Sequence, residues 1–233
     1  MQGWEVVGIV TVQVEGGDSM MFQIPATKVA GAQAASSGIP WMEVVVSGVE
    51  NKEIDELELA LEPIICGGEC PDNSLGRILD WPPWKATSPS ALVNTGGRID
   101  ALVSGALKSD YQKTRVERMS ENLGVRSFTP LWHNNSENHM LELLDNGFEI
   151  MLTSVSADGL GEEWIGRTLD YDYLGELIEL SKRYSFSPDG EGGEFETTVT
   201  NAPHLSFGID LNGTVIWSGS RGQLSISDVS FRP

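Results

Sequence analysis

The sequence predicts an α/β fold in which a mostly parallel sheet is followed by a smaller α+β region. Strand-like and helix-like segments alternate over most of residues 1–156, an order typical of right-handed βαβ units and a parallel sheet. Residues 157–233 instead carry one helical segment followed by short alternating runs and turn sequences. We therefore expect an α/β domain over the first range and a separate α+β domain over the second.

The N-terminal elements follow from their apolar patterns. Residues 5–14 form a nearly continuous β-branched run, which is typical of a strand buried on both faces. An Ala-rich segment predicts a helix at residues 28–37, closed by a Gly and a Pro. A second strand at residues 41–46 and an acidic amphipathic helix at residues 53–61 come next.

An irregular insertion is predicted at about residues 62–97, because this stretch contains five prolines and many Gly, Ser and Trp residues. It has room for a short helix near residues 75–79. The two cysteines of the chain, Cys66 and Cys70, lie here without a second Cys or His pair, so no metal site is predicted. Such sparse cysteine usage suits a reducing compartment, and we expect a cytoplasmic location.

The remaining elements resume the alternation. Strands are predicted at 101–103, 125–128 and 148–154, with helices at 110–123 and 138–146 between them. In the second domain we expect a helix at 173–184, a turn at 189–194 and strands at 195–200 and 224–231. A hairpin over residues 209–215 is predicted around Asn212-Gly213, since this dipeptide favours two-residue turns.

The charge of the chain excludes some partners. It has 34 acidic and 15 basic residues, which give a net charge of −19. A non-specific nucleic-acid binder needs the opposite sign because it must neutralise phosphates, and an anionic membrane surface is disfavoured for the same reason. No apolar run is long enough to span a membrane. We expect neither nucleic acid nor membrane as a partner, and the sequence leaves the oligomeric state open.

The corner between the predicted strand at 101–103 and the helix at 110–123 is a candidate anion site. In a parallel sheet, ligands bind beyond the carboxyl ends of the strands, and the N–H groups at a helix start favour an anion. Four of the basic residues lie within residues 108–118. The alternative is an ordinary corner with a solvated basic helix. The candidate residues are Ser104, Gly105, Ala106, Ser109, Asp110, Tyr111, Gln112 and Arg115.

A second candidate is the acidic, glycine-rich segment 191–197. Two adjacent glycines allow a tight turn, and three carboxylates within six residues repel one another unless water or a cation compensates. The segment therefore indicates either an exposed acidic turn or a pocket for a cationic group. The candidate residues are Glu191, Gly192, Gly193, Glu194, Glu196 and Thr197.

Other common enzyme sites are not predicted. The sequence has no Gly-x-Ser-x-Gly nucleophile elbow and no Gly-x-Gly-x-x-Gly dinucleotide motif. Its three histidines have no Cys or His partners at zinc-ligand spacing.

Five separated motifs in the same order resemble those of the diphthine–ammonia ligases, which belong to the PP-loop (N-type ATP pyrophosphatase) superfamily. The resemblance covers nearly the whole chain apart from the insertion. The motifs are Met20-Met21-Phe22-Gln23-Ile24-Pro25, Ser104-Gly105-Ala106-Leu107-Lys108-Ser109-Asp110-Tyr111-Gln112, Pro130-Leu131-Trp132, Gly159-Leu160 with Leu169-Asp170, and Gly190-Glu191-Gly192-Gly193-Glu194-Phe195-Glu196-Thr197.

The resemblance implies a reaction and a set of roles. ATP, with Mg²⁺, would adenylate the carboxylate of diphthine on elongation factor two, and ammonia would displace AMP to give diphthamide. The corner at 104–115, together with Met21, Phe22 and Gln23, would line the nucleotide site. The segment 191–197 would contribute to the diphthine pocket, where carboxylates suit a trimethylammonium group, and Trp132 would add an aromatic face. The fold implied is a Rossmann-like (HUP/PP-loop ATPase) sheet.

The chain also departs from the family pattern. The phosphate-gripping sequence Ser-Gly-Gly-Lys-Asp-Ser does not occur among its 233 residues, and the similar Glu15-Gly16-Gly17-Asp18-Ser19 lacks the Lys. We therefore expect a sheet without its first βα unit, an archaeal-type member of the family, and inefficient ATP turnover by the chain as given. Two alternatives stay open: a PP-loop ligase acting on another carboxylate or on RNA, and a non-catalytic homologue that binds nucleotide or a protein partner.

Overall fold

A computed structural model describes residues 3–15, 27–50, 52–66, 80–81, 84–85 and 99–232. The chain divides into two compact units, Met1–Trp132 and His133–Pro233. The described part combines parallel strand pairs with an antiparallel sheet, so the predicted α/β class is confirmed. None of the helices in these ranges is long and apolar enough to cross a lipid bilayer.

The first unit opens with a parallel strand pair. Strands β1 (Ile9–Val14) and β2 (Trp41–Val46) are joined by helix α1 (Thr27–Ser37), and Ile9 pairs with Trp41 at one end of the ladder. The strand predicted at residues 5–14 therefore begins only at Ile9. Its first residues have no ladder partner because β2 begins only after Pro40, which cannot donate a main-chain hydrogen bond.

Helix α2 (Glu53–Cys66) is longer than predicted, because it continues through Pro63 into the expected insertion. Farther along this insertion, β3 (Asp80–Trp81) and β4 (Trp84–Lys85) form a two-residue antiparallel ladder. The helix predicted near residues 75–79 lies outside the described residues.

A second parallel pair completes the described part of this unit. Strand β5 (Ala101–Val103) is followed by helix α3 (Asp110–Asn122) and strand β6 (Arg126–Phe128), in the βαβ order predicted. The two strand pairs share one apolar core with α2 and α3. Its buried members include Val14, Met42, Val44, Leu57, Leu61, Met119 and Leu123.

The second unit contains a four-stranded antiparallel sheet. Its helices are α4 (Ser136–Asp145) and α5 (Tyr171–Tyr184), with a 3₁₀ turn at Glu162–Trp164. Its strands, in the spatial order β8-β7-β10-β9, are β7 (Glu149–Val155), β8 (Phe195–Asn201), β9 (Gly208–Ser218) and β10 (Arg221–Arg232).

The expectation that the strand near residues 148–154 extends the parallel sheet is wrong. Strand β7 pairs with β8 and β10 in antiparallel register. Because β7 belongs to this sheet, the two compact units divide between residues 132 and 133. The domain boundary was expected later in the chain, between residues 156 and 157. The domain boundary itself stays a prediction, because compactness alone does not define independent folding.

The hairpin predicted around Asn212-Gly213 is also wrong, because β9 runs straight through both residues. The chain reverses instead at Gly219, whose φ of +63° suits a glycine. Gly213 lies beside a β-bulge, where Ser227 Oγ donates to the Asn212 carbonyl at 3.2 Å. A Cβ at Gly213 would lie 2.3 Å from the Ser225 carbonyl oxygen, so the glycine permits close strand approach.

We predict that Gly213→Ala lowers the free energy of unfolding by about 1–3 kcal/mol, because the added methyl collides with backbone that cannot easily yield. The matched control is Gly175→Ala in the exposed part of α5, where no atom lies within 4 Å of the new Cβ. That control should be neutral or stabilising by up to about 1 kcal/mol. Urea denaturation measures both variants, and equal effects would contradict the mid-strand placement of Gly213.

Candidate functional site

The corner after β5 has the strand-to-helix geometry expected for an anion site. The Ser104 amide donates to the Phe128 carbonyl at 3.0 Å, and the hydroxyls of Ser104 and Thr129 lie 3.4 Å apart. Ser109 caps α3, because its Oγ accepts from the Gln112 amide at 3.3 Å. No atom lies within 4 Å of the Cβ position of Gly105, so the space beside that residue is open.

Cationic side chains on α3 are oriented by neighbours in the same unit. The Arg115 guanidinium carbon lies 3.4 Å from the centre of the Tyr111 ring. Lys113 forms an ion pair with Glu117, and its ammonium lies 5.3 Å from the centre of the Trp132 ring. These contacts hold positive charge on the first two turns of the helix, although an anion there stays a prediction.

Tyr111 leaves one polar atom unsatisfied at this corner. Its ring packs against the core of the first unit. Its hydroxyl is buried, and no described residue forms a hydrogen bond with it. Such a group normally has a partner, and a bound polar ligand or water could supply it. The other three predicted nucleotide-site residues, Met21, Phe22 and Gln23, lie outside the described residues.

Three segments of the second unit converge on Glu194, in the predicted acidic turn. Its carbonyl oxygen accepts from the amides of Ser156 at 2.7 Å and Ala157 at 3.1 Å, just beyond β7. Its carboxylate Oε1 accepts from the Ser187 amide at 3.1 Å, just beyond α5. Carboxylate Oε2 is buried and has no hydrogen-bond partner among the described residues. Glu194 is therefore held firmly, and its Oε2 lies inside the turn without a hydrogen-bond partner among the described residues.

Glycine and aspartate give the acidic turn its shape. Gly190 and Gly193 have φ values of +73° and +78°, and the Gly193 amide donates to the Gly190 carbonyl at 2.9 Å. A Cβ at Gly190 would lie 2.7 Å from the Phe195 carbonyl oxygen. Asp189 Oδ1 accepts from the Ser187 hydroxyl and from the Glu191 amide at 3.3 Å. The alternative of a wholly exposed acidic turn does not fit the buried oxygen of Glu194.

Glu196 extends the acidic turn into β8. Its side chain is partly buried, and burial raises its pKa from 4.5 to about 7. The next residue, Thr197, is exposed. A carboxyl group that ionises near neutral pH can respond to a nearby cation, which would favour its charged form.

Sequence reasoning missed the residues that support this turn. Ser156 and Ser187 are small polar residues that follow the ends of a strand and a helix, and that position was the available signal. Trp132, the predicted aromatic face, is the last residue of the first unit and its ring lies near Lys113; its part in a diphthine pocket stays a prediction. Tyr184 is the exposed aromatic residue at the end of α5 in the unit that contains the turn.

The sequence did not predict a cleft of about 270 Å³ in the second unit. Its lining includes Glu149, Asp210 and Arg232. Arg232 Nη2 donates to Glu149 Oε2 at 2.6 Å, and Asn201 Nδ2 donates to Glu149 Oε1 at 3.2 Å. The Arg232 hydrogen bond lowers the pKa of Glu149. Asp210 lies 3.8 Å from the same guanidinium. Both carboxylate oxygens of Glu149 therefore have hydrogen-bond partners. The cluster connects the start of β7 to the ends of β8 and β10.

Comparison with known proteins identifies the family. The model of the diphthamide synthase N-terminal domain matches residues 1–70, and that of the diphthamide synthase C-terminal domain matches residues 135–230. The chain belongs to the diphthamide synthase family. The resemblance seen in the five motifs is thereby confirmed, and the acidic turn lies within the C-terminal match.

Similar curated proteins carry the name diphthine–ammonia ligase. The one from Schizosaccharomyces pombe is 32% identical over 126 residues, which cover 54% of this chain and 21% of that protein. The human one is 36% identical over 113 residues, which cover 48% of this chain and 42% of that protein. The chain thus matches less than half the length of either relative.

A solved structure, that of a predicted subunit of tRNA methyltransferase from Methanocaldococcus jannaschii, is a distant match. It is 15% identical and covers 84% of each chain with a TM-score of 0.32. That likeness is too low to bear on the site.

The raised pKa of Glu196 predicts a pH-dependent stability. The folded chain favours the protonated carboxyl, so this contribution is full below about pH 4.5 and is lost as the pH rises through about 7. Glu196→Gln should remove that loss. The difference in free energy of unfolding between Glu196→Gln and the unchanged chain should therefore rise by about 1–2 kcal/mol as the pH rises through about 7. This is less than the full pKa shift of Glu196 implies, because water reaches its carboxyl group.

Urea denaturation between pH 4.5 and 8 measures the effect, with exposed Glu142→Gln as the control. Parallel stability curves for Glu196→Gln and the unchanged chain would contradict a desolvated Glu196.

Proposed function

We propose that the chain is a diphthine–ammonia ligase homologue that acts in diphthamide biosynthesis, using ATP to couple ammonia to the carboxylate of diphthine on elongation factor two. Family membership and the names of the similar curated proteins support this. The observation that carries the proposal is the buried, unpartnered carboxylate oxygen of Glu194 inside the acidic turn. A cytoplasmic location, where elongation factors work, is part of the proposal.

The acidic turn suits the cationic end of diphthine. A trimethylammonium group has no N–H donors, so it is bound by charge and surface contact rather than by directed hydrogen bonds. Two main-chain amides hold the carbonyl of Glu194 and a third, that of Ser187, holds its carboxylate, so the side chain needs little reorganisation when a cation arrives. Glu196 would add charge, because a bound cation lowers the pKa of a neighbouring carboxyl. Gly192, Gly193 and Thr197 would complete the pocket.

The corner after β5 suits the nucleotide. Its amides at the start of α3, the open space beside Gly105 and the oriented Arg115 provide donors and positive charge for phosphate oxygens. The buried Tyr111 hydroxyl would gain a partner there. Mg²⁺ would be held mainly by the phosphates and water, as is usual for this ion. The proposed contacts are Ser104, Gly105, Ala106, Ser109, Asp110, Tyr111, Gln112 and Arg115.

The proposed reaction has two steps. An oxygen of the diphthine carboxylate attacks the α-phosphorus of ATP, and pyrophosphate leaves. The ammonia nitrogen then attacks the acyl carbon, the bond to AMP breaks, and the nitrogen releases a proton to leave a neutral amide. The part of this chain is to bind and orient the two reactants, which is worth several orders of magnitude in rate when the geometry is correct.

We predict that the full chain binds elongation factor two carrying diphthine more tightly than the same factor carrying unmodified histidine. Glu194→Gln should weaken binding of the diphthine form roughly tenfold, equivalent to about 1.4 kcal/mol, because one charged contact is lost. Exposed Glu142→Gln should leave it unchanged. Isothermal titration calorimetry measures each affinity.

The same mixtures, supplied with ATP, Mg²⁺ and ¹⁵N-ammonium, test the chemistry. Mass spectrometry should detect slow, ATP-dependent ¹⁵N incorporation into the modified histidine, because the sequence Ser-Gly-Gly-Lys-Asp-Ser does not occur among the 233 residues, and Glu194→Gln should lower the rate further. Equal affinity for the two forms of the factor, together with no ¹⁵N incorporation, would contradict the proposed function.

A further inference from the structure

Tyr184 lies between the segments that build the acidic turn. It is the last residue of α5, and Ser187, three residues later, donates its amide to the Glu194 carboxylate at 3.1 Å. Its ring also packs on Gly159, which belongs to the turn that begins at Ala157. Ala157 in turn donates to the Glu194 carbonyl at 3.1 Å. Tyr184 is therefore tied to Glu194 through both neighbouring segments.

The backbone conformation around Gly159 and Ser185 fixes the position of the Tyr184 ring. A Cβ at Gly159 would lie 2.4 Å from the Tyr184 ring, so only glycine lets the ring rest on this turn. Gly159 has a φ of +89°, which also favours glycine. On the other side, Ser185 ends the helix with a φ of +60° and redirects the chain toward Ser187. Gly159 and Ser185, both with positive φ, thus fix the position of the Tyr184 ring beside the turn that begins at Ala157.

The ring remains available for contact. Its residue is 40% exposed, whereas the aromatic pair Trp164 and Tyr173 is stacked and buried. Phe195, inside the acidic turn, is buried and meets Phe186 edge to face. The Arg183 guanidinium carbon lies 5.4 Å from the centre of the Tyr184 ring, within the range of a cation–π contact. The ring thus already contacts a cation, and a ligand cation would take the place of this exposed guanidinium.

We propose that Tyr184 is a specificity-determining residue of the diphthine pocket, which makes the acidic turn selective for a quaternary ammonium over a neutral group of the same shape. The inference rests on the proposed function of that turn. A quaternary ammonium spreads its charge over its methyl groups, and an aromatic face combined with fixed carboxylates attracts it by charge while tolerating its apolar surface. The carboxylates attract any cation, and the cation–π contact with the ring adds a second charge-dependent interaction that a neutral group of the same shape cannot make.

Choline and 3,3-dimethylbutan-1-ol test this selectivity, since they share a shape and differ by one positive charge. Each is titrated into the ¹⁵N-labelled full chain without ATP, and amide chemical shifts are followed at Ala157, Ser187 and Glu194. Choline should shift these amides, and the neutral alcohol should not. Tyr184→Leu should weaken choline binding roughly fivefold or more, and Tyr184→Phe should keep it within about twofold, because the ring is retained.

Tyr171→Leu is the matched control, because Tyr171 is an exposed tyrosine at the opposite end of the same helix. It should leave choline binding unchanged. If Tyr184→Leu does not fold, Tyr184→Met takes its place, since an unbranched side chain can still cover Gly159.

Equal choline affinity in the leucine variant and the unchanged chain would overturn the inference, as would equal shifts by the neutral alcohol. The readout needs neither ATP nor elongation factor, so a loss of selectivity here is distinct from a failure of amidation, which concerns the proposed function.

Discussion

The hydrogen bonds that converge on Glu194 are the constraint on which the acidic turn depends. Amides from beyond β7 and from beyond α5 both reach Glu194, which links the end of β7 to a segment about forty residues later in the chain. A buried carboxylate is costly unless it is compensated, and only one of its oxygens has a partner among the described residues. The other oxygen, Oε2, therefore stays uncompensated by any described residue.

The glycines of this region serve the same constraint. Gly190 and Gly193 adopt left-handed conformations that close the turn, and Gly159 leaves room for the Tyr184 ring. Each position would be strained or blocked by a larger residue. Glycine adopts these conformations without strain, so it lets the acidic turn and the turn at Gly159 close tightly.

Local patterns predicted most elements of the fold. The strand at Trp41–Val46 matches its apolar run, and the helices that begin after Ser109, Asn135 and Asp170 start at side-chain caps. The predictions were wrong where contacts between distant segments determine the local structure. Asn212-Gly213 has the sequence of a turn, but a bulge opposite it keeps β9 extended. The pairing direction of β7 is set by distant strands, which periodicity cannot reveal.

The candidate site was predicted only in part. The motifs indicated both segments, because small residues and clustered charges are visible in the sequence. Which carboxylate oxygen is buried depends on hydrogen bonds between segments, such as those of Ser156 and Ser187. Neither charge nor geometry specifies a cation, and diphthine enters only through the proposed function.

A crystal structure of the full chain bound to an elongation-factor peptide that carries diphthine would test the proposed pocket. The quaternary nitrogen should lie within the acidic turn, facing the Glu194 carboxylate and within about 6 Å of the centre of the Tyr184 ring. A peptide bound with its trimethylammonium group away from residues 156–196 would contradict it.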